Sequence, residues 1–248
     1  PGTPLDRCKP SAAQLDPIRA LSRGGTTERA GRSVSFFDLY APRLSTGDEK
    51  ALLHAHLRLN RDALLWKLEG LSEADLRRPM TGTGTNLLGL VKHLTGVEGA
   101  YFCDAFGRER PRLAWEADED ATLGEFSDMY AKPDETAEEI VANYRAATAA
   151  ADRSISDLEL DATGRHHIGI TVSLRWMLLT VLLDTARHAG HADIVRELID
   201  GAAGSNREWP GVAPIHDVAY RQNYLARVRG EVDDETWFTF IRSRKSTT

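Results

Sequence analysis

The stretch SLRWMLLTVLLDTARHAGHADIVRELIDG, residues 173–201, decides how this chain is read. Ser173 is a helix N-cap residue type and Gly201 a C-terminal stop. Between them Trp176, Met177, Leu179, Leu183, Ile194 and Leu198 recur at helical spacing, which predicts one long helix. On it Asp184, His188 and His191 stand four and seven residues apart and so share a stripe. That stripe continues the apolar side marked by Leu183 and Ile194, so it is expected to point inward. Three such side chains facing a core are costly unless paired or coordinated. A metal ion removes that cost, and imidazole with carboxylate suits zinc, nickel, iron or manganese.

Working outward, three more helices are expected. The first starts at Thr46-Gly47-Asp48-Glu49, a capping box with Thr46 as N-cap, and runs through Leu52, Leu53, Leu57, Leu64, Leu65 and Leu68 to Gly70. The second runs from Asn86 to Phe106, capped by Thr85 and ended by Gly107. The third begins near Thr136, with Glu139 three residues on, and reaches Leu158. A polar loop, 107–132, separates the last two. Four such segments predict an all-α, up-and-down four-helix bundle with antiparallel neighbours. One helix seldom closes a metal site, and His93, among Leu90, Val91, Leu94 and Val97, is the best ligand from another helix. A buried, hydrogen-bonded His93 without metal is the alternative. His54 and His56, and the loop pair His166 and His167, are weaker by position.

Three regions follow. Residues 1–34 read as a flexible arm, 35–203 as the metal-binding bundle, and 204–248 as an aromatic-rich extension. Phe36, Phe37, Leu39 and Tyr40 form an apolar cluster expected to dock on the bundle. The extension carries Trp209, Tyr220, Tyr224, Trp237, Phe238 and Phe240. That is too many aromatics for a free linker, so it is expected to pack on the bundle or on a second subunit. Its span 215–228 reads as a short helix, and His216 as a surface residue. The chain has 248 residues, 42% of them hydrophobic, and a formal net charge of -6. An acidic chain is a poor nucleic-acid binder, and no apolar run of membrane-spanning length exists. Two distant cysteines, Cys8 and Cys103, make neither a disulfide framework nor a thiolate metal site. With no apolar leader segment, a cytoplasmic protein with reduced thiols is expected. No phosphate-binding glycine loop or nucleophile elbow is found.

Two motifs carry a family resemblance. Lys92-His93-Leu94-Thr95-Gly96-Val97-Glu98 resembles the second-helix motif of DinB-like metalloproteins. Leu174-Arg175-Trp176, with Ala186-Arg187-His188-Ala189-Gly190-His191-Ala192-Asp193 and Arg196-Glu197-Leu198-Ile199-Asp200-Gly201, resembles their fourth-helix motif. The resemblance spans roughly residues 45–203. It implies a four-helix bundle whose divalent metal is held by His93, Asp184 and His188, although relatives more often have Glu or His where Asp184 stands. His191 is then a fourth ligand or the partner of one. Glu98 and Asp193 are candidates for orienting ligand histidines. Relatives include mycothiol- and bacillithiol-dependent transferases and the thiol-dependent maleylpyruvate isomerases. The resemblance therefore implies a metal-dependent enzyme that activates a low-molecular-weight thiol at an open metal position and takes a small-molecule substrate. Arg175 and Arg187 are candidates for holding a carboxylate on thiol or substrate. A thiol-independent hydrolase, a tailoring enzyme of secondary metabolism and a non-catalytic metal-binding interaction protein are the alternatives. A homodimer is compatible with all of them.

Overall fold

The computed structural model describes residues 48–113, 115, 128–206 and 217–245. Helix α1 (Glu49–Trp66) starts at Asp48, whose carboxylate accepts a hydrogen bond from the Lys50 amide. The cap expected at Thr46 lies outside the described residues, and Glu49 is the first helical residue, where its charge suits the helix dipole. A short α2 (Glu73–Arg77) follows. Helix α3 (Leu87–Phe102) is capped by Asn86, which accepts from the Gly89 amide at 2.7 Å, one residue beyond the expected Thr85. The helix breaks at Cys103 into a 3-10 turn, Asp104–Phe106, closed by left-handed Gly107. Helix α4 (Ala137–Asp157) opens with the predicted Thr136/Glu139 capping box. A two-stranded hairpin, β1 (Thr163–Arg165) and β2 (Thr171–Ser173), leads into α5 (Leu174–Asp200), capped by Ser173 and stopped by Gly201 at φ 82°. Gly164 lets the hairpin close onto the 3-10 turn, since a Cβ there would lie 2.6 Å from the Ala105 carbonyl oxygen. Two further helices, α6 (Val218–Val228) and α7 (Asp234–Lys245), lie in the extension.

The four long helices form the expected all-α bundle, but their neighbours are not all antiparallel as the up-and-down reading expects. Their senses can be read from cross-links and core partners. Arg175 pairs with Glu49 where α5 and α1 start, and Lys67 pairs with Asp193 near where both end, so these two helices run parallel. Helix α3 opposes α5: Leu87 and Leu90 share a cluster with Ala192 and Val195, while Phe102 shares another with Leu174 and Met177. Helix α4 runs with α3, contributing Tyr144 to the first cluster and Ile155 to the second. The connection 103–136 is long enough to carry the chain back, which is why α3 and α4 need not oppose each other.

Between the two apolar clusters lies a polar belt. Arg61 falls between Leu57 and Leu64 on α1, and Glu98 between Leu94 and Phe102 on α3. Their side chains form a bidentate pair at 2.5 and 2.6 Å, and Arg61 also reaches Asp152 at 2.6 Å. Burial raises the Glu98 pKa, and the Arg61 charge opposes that. Glu98 therefore neutralises Arg61 and does not orient a ligand histidine. Asp193 likewise turns away, to Lys67 and to the Gly204 amide at 2.6 Å. His54 is bound to Asp152 at 2.7 Å.

The expected inward stripe of α5 needs correction. Leu183 is 69% exposed and Ile194 57%. The buried side consists of Met177, Leu178, Val181, Thr185, Ala189, Ala192 and Val195. In its middle the buried residues are small, Thr185, Ala189 and Ala192, so α5 presses closely on its neighbours there and the larger Leu183 and Ile194 fall on the flanks. Cys103 is buried and free. In the extension Tyr220, Tyr224, Trp237 and Phe240 pack on one another, which explains much of the aromatic content locally. The helix expected from Ile215 starts at Val218, and a second helix, α7, follows it where none is expected. Cys8, the Phe36 cluster, Trp209 and His216 lie outside the described residues. No helix among the described residues is long and apolar enough to cross a membrane.

Candidate metal centre

The belt reaches the surface on the α3–α5 edge. Asp184 and His188 stand one turn apart on α5, between Val181 of one core cluster and Ala192 of the other. His93 faces them from α3. Its Nε2 is 3.6 Å from Asp184 Oδ2, and His188 Nε2 is 3.5 Å from Asp184 Oδ1. The His93 and His188 rings meet edge-on at 4.9 Å between centroids. All three residues are half-buried, and each offers a ligand atom within 4.8 Å of the other two. These separations are long for hydrogen bonds. They are of the size a shared ion calls for, since a tetrahedral metal with bonds of about 2.0–2.2 Å keeps its ligand atoms roughly 3.3–3.6 Å apart. They run to different oxygens of Asp184, however, so one ion would draw the two imidazoles toward a single oxygen. Asp184, although shorter than Glu, reaches both imidazoles because it shares their level of the bundle.

Each imidazole has a partner behind it. His93 Nδ1 lies 2.6 Å from Asp128 Oδ2. An ionised carboxylate only accepts, so this bond places the Nδ1 proton and leaves Nε2 free to face the centre. His188 Nδ1 lies 3.4 Å from His191 Nδ1. His191, exposed and outside the triplet, thus stands behind a ligand candidate. Burial works against protonation of His93, but its bond to Asp128 and the nearby Asp184 carboxylate outweigh burial and raise the pKa to about 9. Burial would raise the Asp184 pKa, yet the His188 and His93 imidazoles hold it well below the usual carboxylate range. The His191 pKa is lowered by burial and by the nearby His188 and Arg187 charges.

Asp128 is the residue that sequence reasoning missed. It lies in the acidic loop, where nothing in composition separates it from its neighbours. What places it is Gly89. The Met129 carbonyl packs so closely on α3 that a Cβ at Gly89 would sit 1.9 Å from its oxygen. Lys92 adds a second anchor, bonding to the Tyr130 carbonyl at 2.9 Å and to Glu135.

Residues 52–201, more than half of the chain, match the mycothiol-S-transferase family. The chain belongs to that family. With it the chain joins the DinB-like superfamily. No curated protein matches it. The family bears a transferase's name, and the matched span contains the triplet, Asp128, His191 and the cleft beside them. That cleft, of about 570 Å³, is lined by His93 and Asp184 at one end and Tyr101 at the other, with Val97, Val181 and Leu183 between. Arg187 also lines it, whereas Arg175 is held by Glu49 and Asp161 at the start of α5. His166 and His167 sit on the hairpin tip, where their rings meet Tyr101 at 4.9 and 5.9 Å, away from the triplet.

Proposed function

We propose that this protein is a metal-dependent S-transferase that joins a low-molecular-weight thiol of the mycothiol type to an electrophilic small molecule. The observation that carries this is the His93–Asp184–His188 triplet, spaced for one ion and opening onto a cleft, in a chain of this family. Two neutral imidazoles and a carboxylate suit zinc, with nickel, iron or manganese as chemically acceptable substitutes. A divalent ion held by three protein groups supplies, at its open position, the positive charge that turns a thiol into a thiolate near neutral pH.

The chain's own residues do the rest. Asp128 fixes the tautomer and ring plane of His93, and His191 stands behind His188 in the same role. Asp184 lowers the net charge of the centre. Val97, Val181 and Leu183 give the neighbouring wall an apolar character, so an acceptor seated there displaces water from the reacting atoms. The open cleft favours turnover over a purely structural or docking role for the metal, because no side chain among the described residues closes it.

Metal analysis of the purified protein and thiol conjugation of a chromogenic nitroaryl halide test the proposal together. His93→Ala and His188→Ala are each expected to lose most bound metal and the thiol-dependent rate, and His54→Ala neither. Equal metal retention in all three would refute the site. Turnover of an activated ester with no thiol present, and none of the halide with thiol, would make the protein a hydrolase instead.

A further inference from the structure

The cleft is asymmetric. From His93 to Tyr101 its α3 wall is eight residues long, about 12 Å of helix rise. Val97, Val181 and Leu183 line that length. Near the Tyr101 end, around His166, Trp176 and Ile170 are large, apolar and exposed. Among the described residues the only Lys or Arg lining the cleft is Arg187, one turn beyond Asp184 and therefore at the metal end. Among the described residues its guanidinium makes no hydrogen bond or ion pair. On the same helix Arg175 and Arg196 are each bound to carboxylates. An unpaired guanidinium beside an apolar wall is a receptor for one planar anion, which it binds with two parallel hydrogen bonds.

We infer that the acceptor taken by this cleft is an amphipathic carboxylate, held by Arg187 at its charged end and by Val97, Leu183 and Tyr101 along its apolar body. The inference rests on the S-transfer reading. Because Arg187 and the triplet occupy the same end, the electrophilic carbon must lie within a few bonds of the carboxyl group. An α,β-unsaturated carboxylate with an apolar or aromatic tail meets that condition. Addition of the thiol across its double bond forms a C–S bond at the β carbon, breaks the π bond and places the thiol proton on the α carbon. No oxidant, reductant or further reactant is needed.

The test is calorimetric titration of the metal-loaded protein, without thiol, using cinnamate and the equally shaped but uncharged cinnamamide. Cinnamate is expected to bind at least about tenfold more tightly, the usual gain from a charge-assisted hydrogen bond. Arg187→Met is expected to erase that preference with metal content unchanged, and Arg187→Lys to keep part of it. Equal binding of the two probes to the parent protein, or no binding of either, overturns the inference. So does a preference that survives in Arg187→Met, which would place the carboxylate on the metal. Should Arg187→Met fold poorly, Arg187→Gln answers the same question. With no thiol in the cell, loss of the preference counts against the acceptor alone, and failure of thiol-dependent turnover alongside an intact preference counts against the transfer reading alone.

Discussion

Replacing Asp128 by Ala removes the carboxylate bonded to His93 Nδ1, and the expected effect on metal affinity changes with pH. Burial disfavours the imidazolium of His93, yet the bond to Asp128 and the nearby Asp184 carboxylate lift its pKa to about 9. A metal needs the neutral ring. At pH 7 a group of pKa 9 is neutral in about one molecule in a hundred, so proton competition weakens apparent affinity about 100-fold there. Without Asp128 the pKa falls toward the ordinary value near 6.5, and much of that competition disappears. The same substitution loses the orienting bond, which for such partners costs about 10–100-fold in affinity. Asp128 is 44% exposed, so water replaces part of its role and the lower end applies. The two effects oppose each other at pH 7, where the variant should bind zinc as well as the parent or better. At pH 9 the parent's ring is about half neutral and the variant should bind roughly 5–10-fold more weakly. Competition against a chromogenic chelator from pH 7 to pH 9 reads the ratio of affinities, which should rise by an order of magnitude in the parent's favour. A ratio that stays flat or falls would refute the assignment of Asp128.

Gly89→Ala should reproduce the loss at pH 9 from a distance, because a Cβ 1.9 Å from the Met129 carbonyl oxygen must displace the segment that carries Asp128. Unchanged zinc affinity in that variant would show the segment to be placed by other contacts. Asp152 has burial working to raise its pKa, but His54 and Arg61 outweigh burial and hold it well below the usual carboxylate range. A depressed folded-state pKa adds stability above the unfolded value, near 4, and loses it as pH falls below that. The gap in thermal midpoint between the parent and Asp152→Asn should therefore be largest at pH 7 and shrink toward pH 3, and a constant gap would contradict this.

Helices α4 and α5 were legible nearly to the residue, since Thr136 with Glu139 and Ser173 with Gly201 are local signals whose chemistry acts within one turn. The triplet was legible for a similar reason: Asp184 and His188 are fixed relative to each other by helix pitch alone. The inward direction assigned to Leu183 and Ile194 was not, because the period of a helix shows that a face exists, while its orientation depends on the small residues that neighbouring helices accept. Asp128 was hidden for a third reason. Its position follows from a backbone carbonyl seated against Gly89, a contact between residues about forty apart in sequence that no periodicity records. Glu98 shows the converse error. A carboxylate five residues from His93 was a reasonable orienting group, but five residues on a helix point to different sides, and Arg61 waits on the other.

The layout of the polar belt predicts that a candidate ligand can be removed without losing the fold. Its two halves obey the same rule, that a buried polar group needs a partner, but differ in what happens when the partner goes. Glu98 is wholly buried, so removing Arg61 strands a charge away from water and costs about 3–5 kcal/mol. Asp184, His93 and His188 lie at the open edge, where water can reach whatever a missing ligand leaves behind. Neither apolar cluster includes any of the three. The half of the belt that faces α1 and α4 therefore belongs to the stability of the bundle. The half between α3 and α5 is free to be specified by chemistry, which is where the proposed metal would need to lie to exchange a fourth partner during turnover.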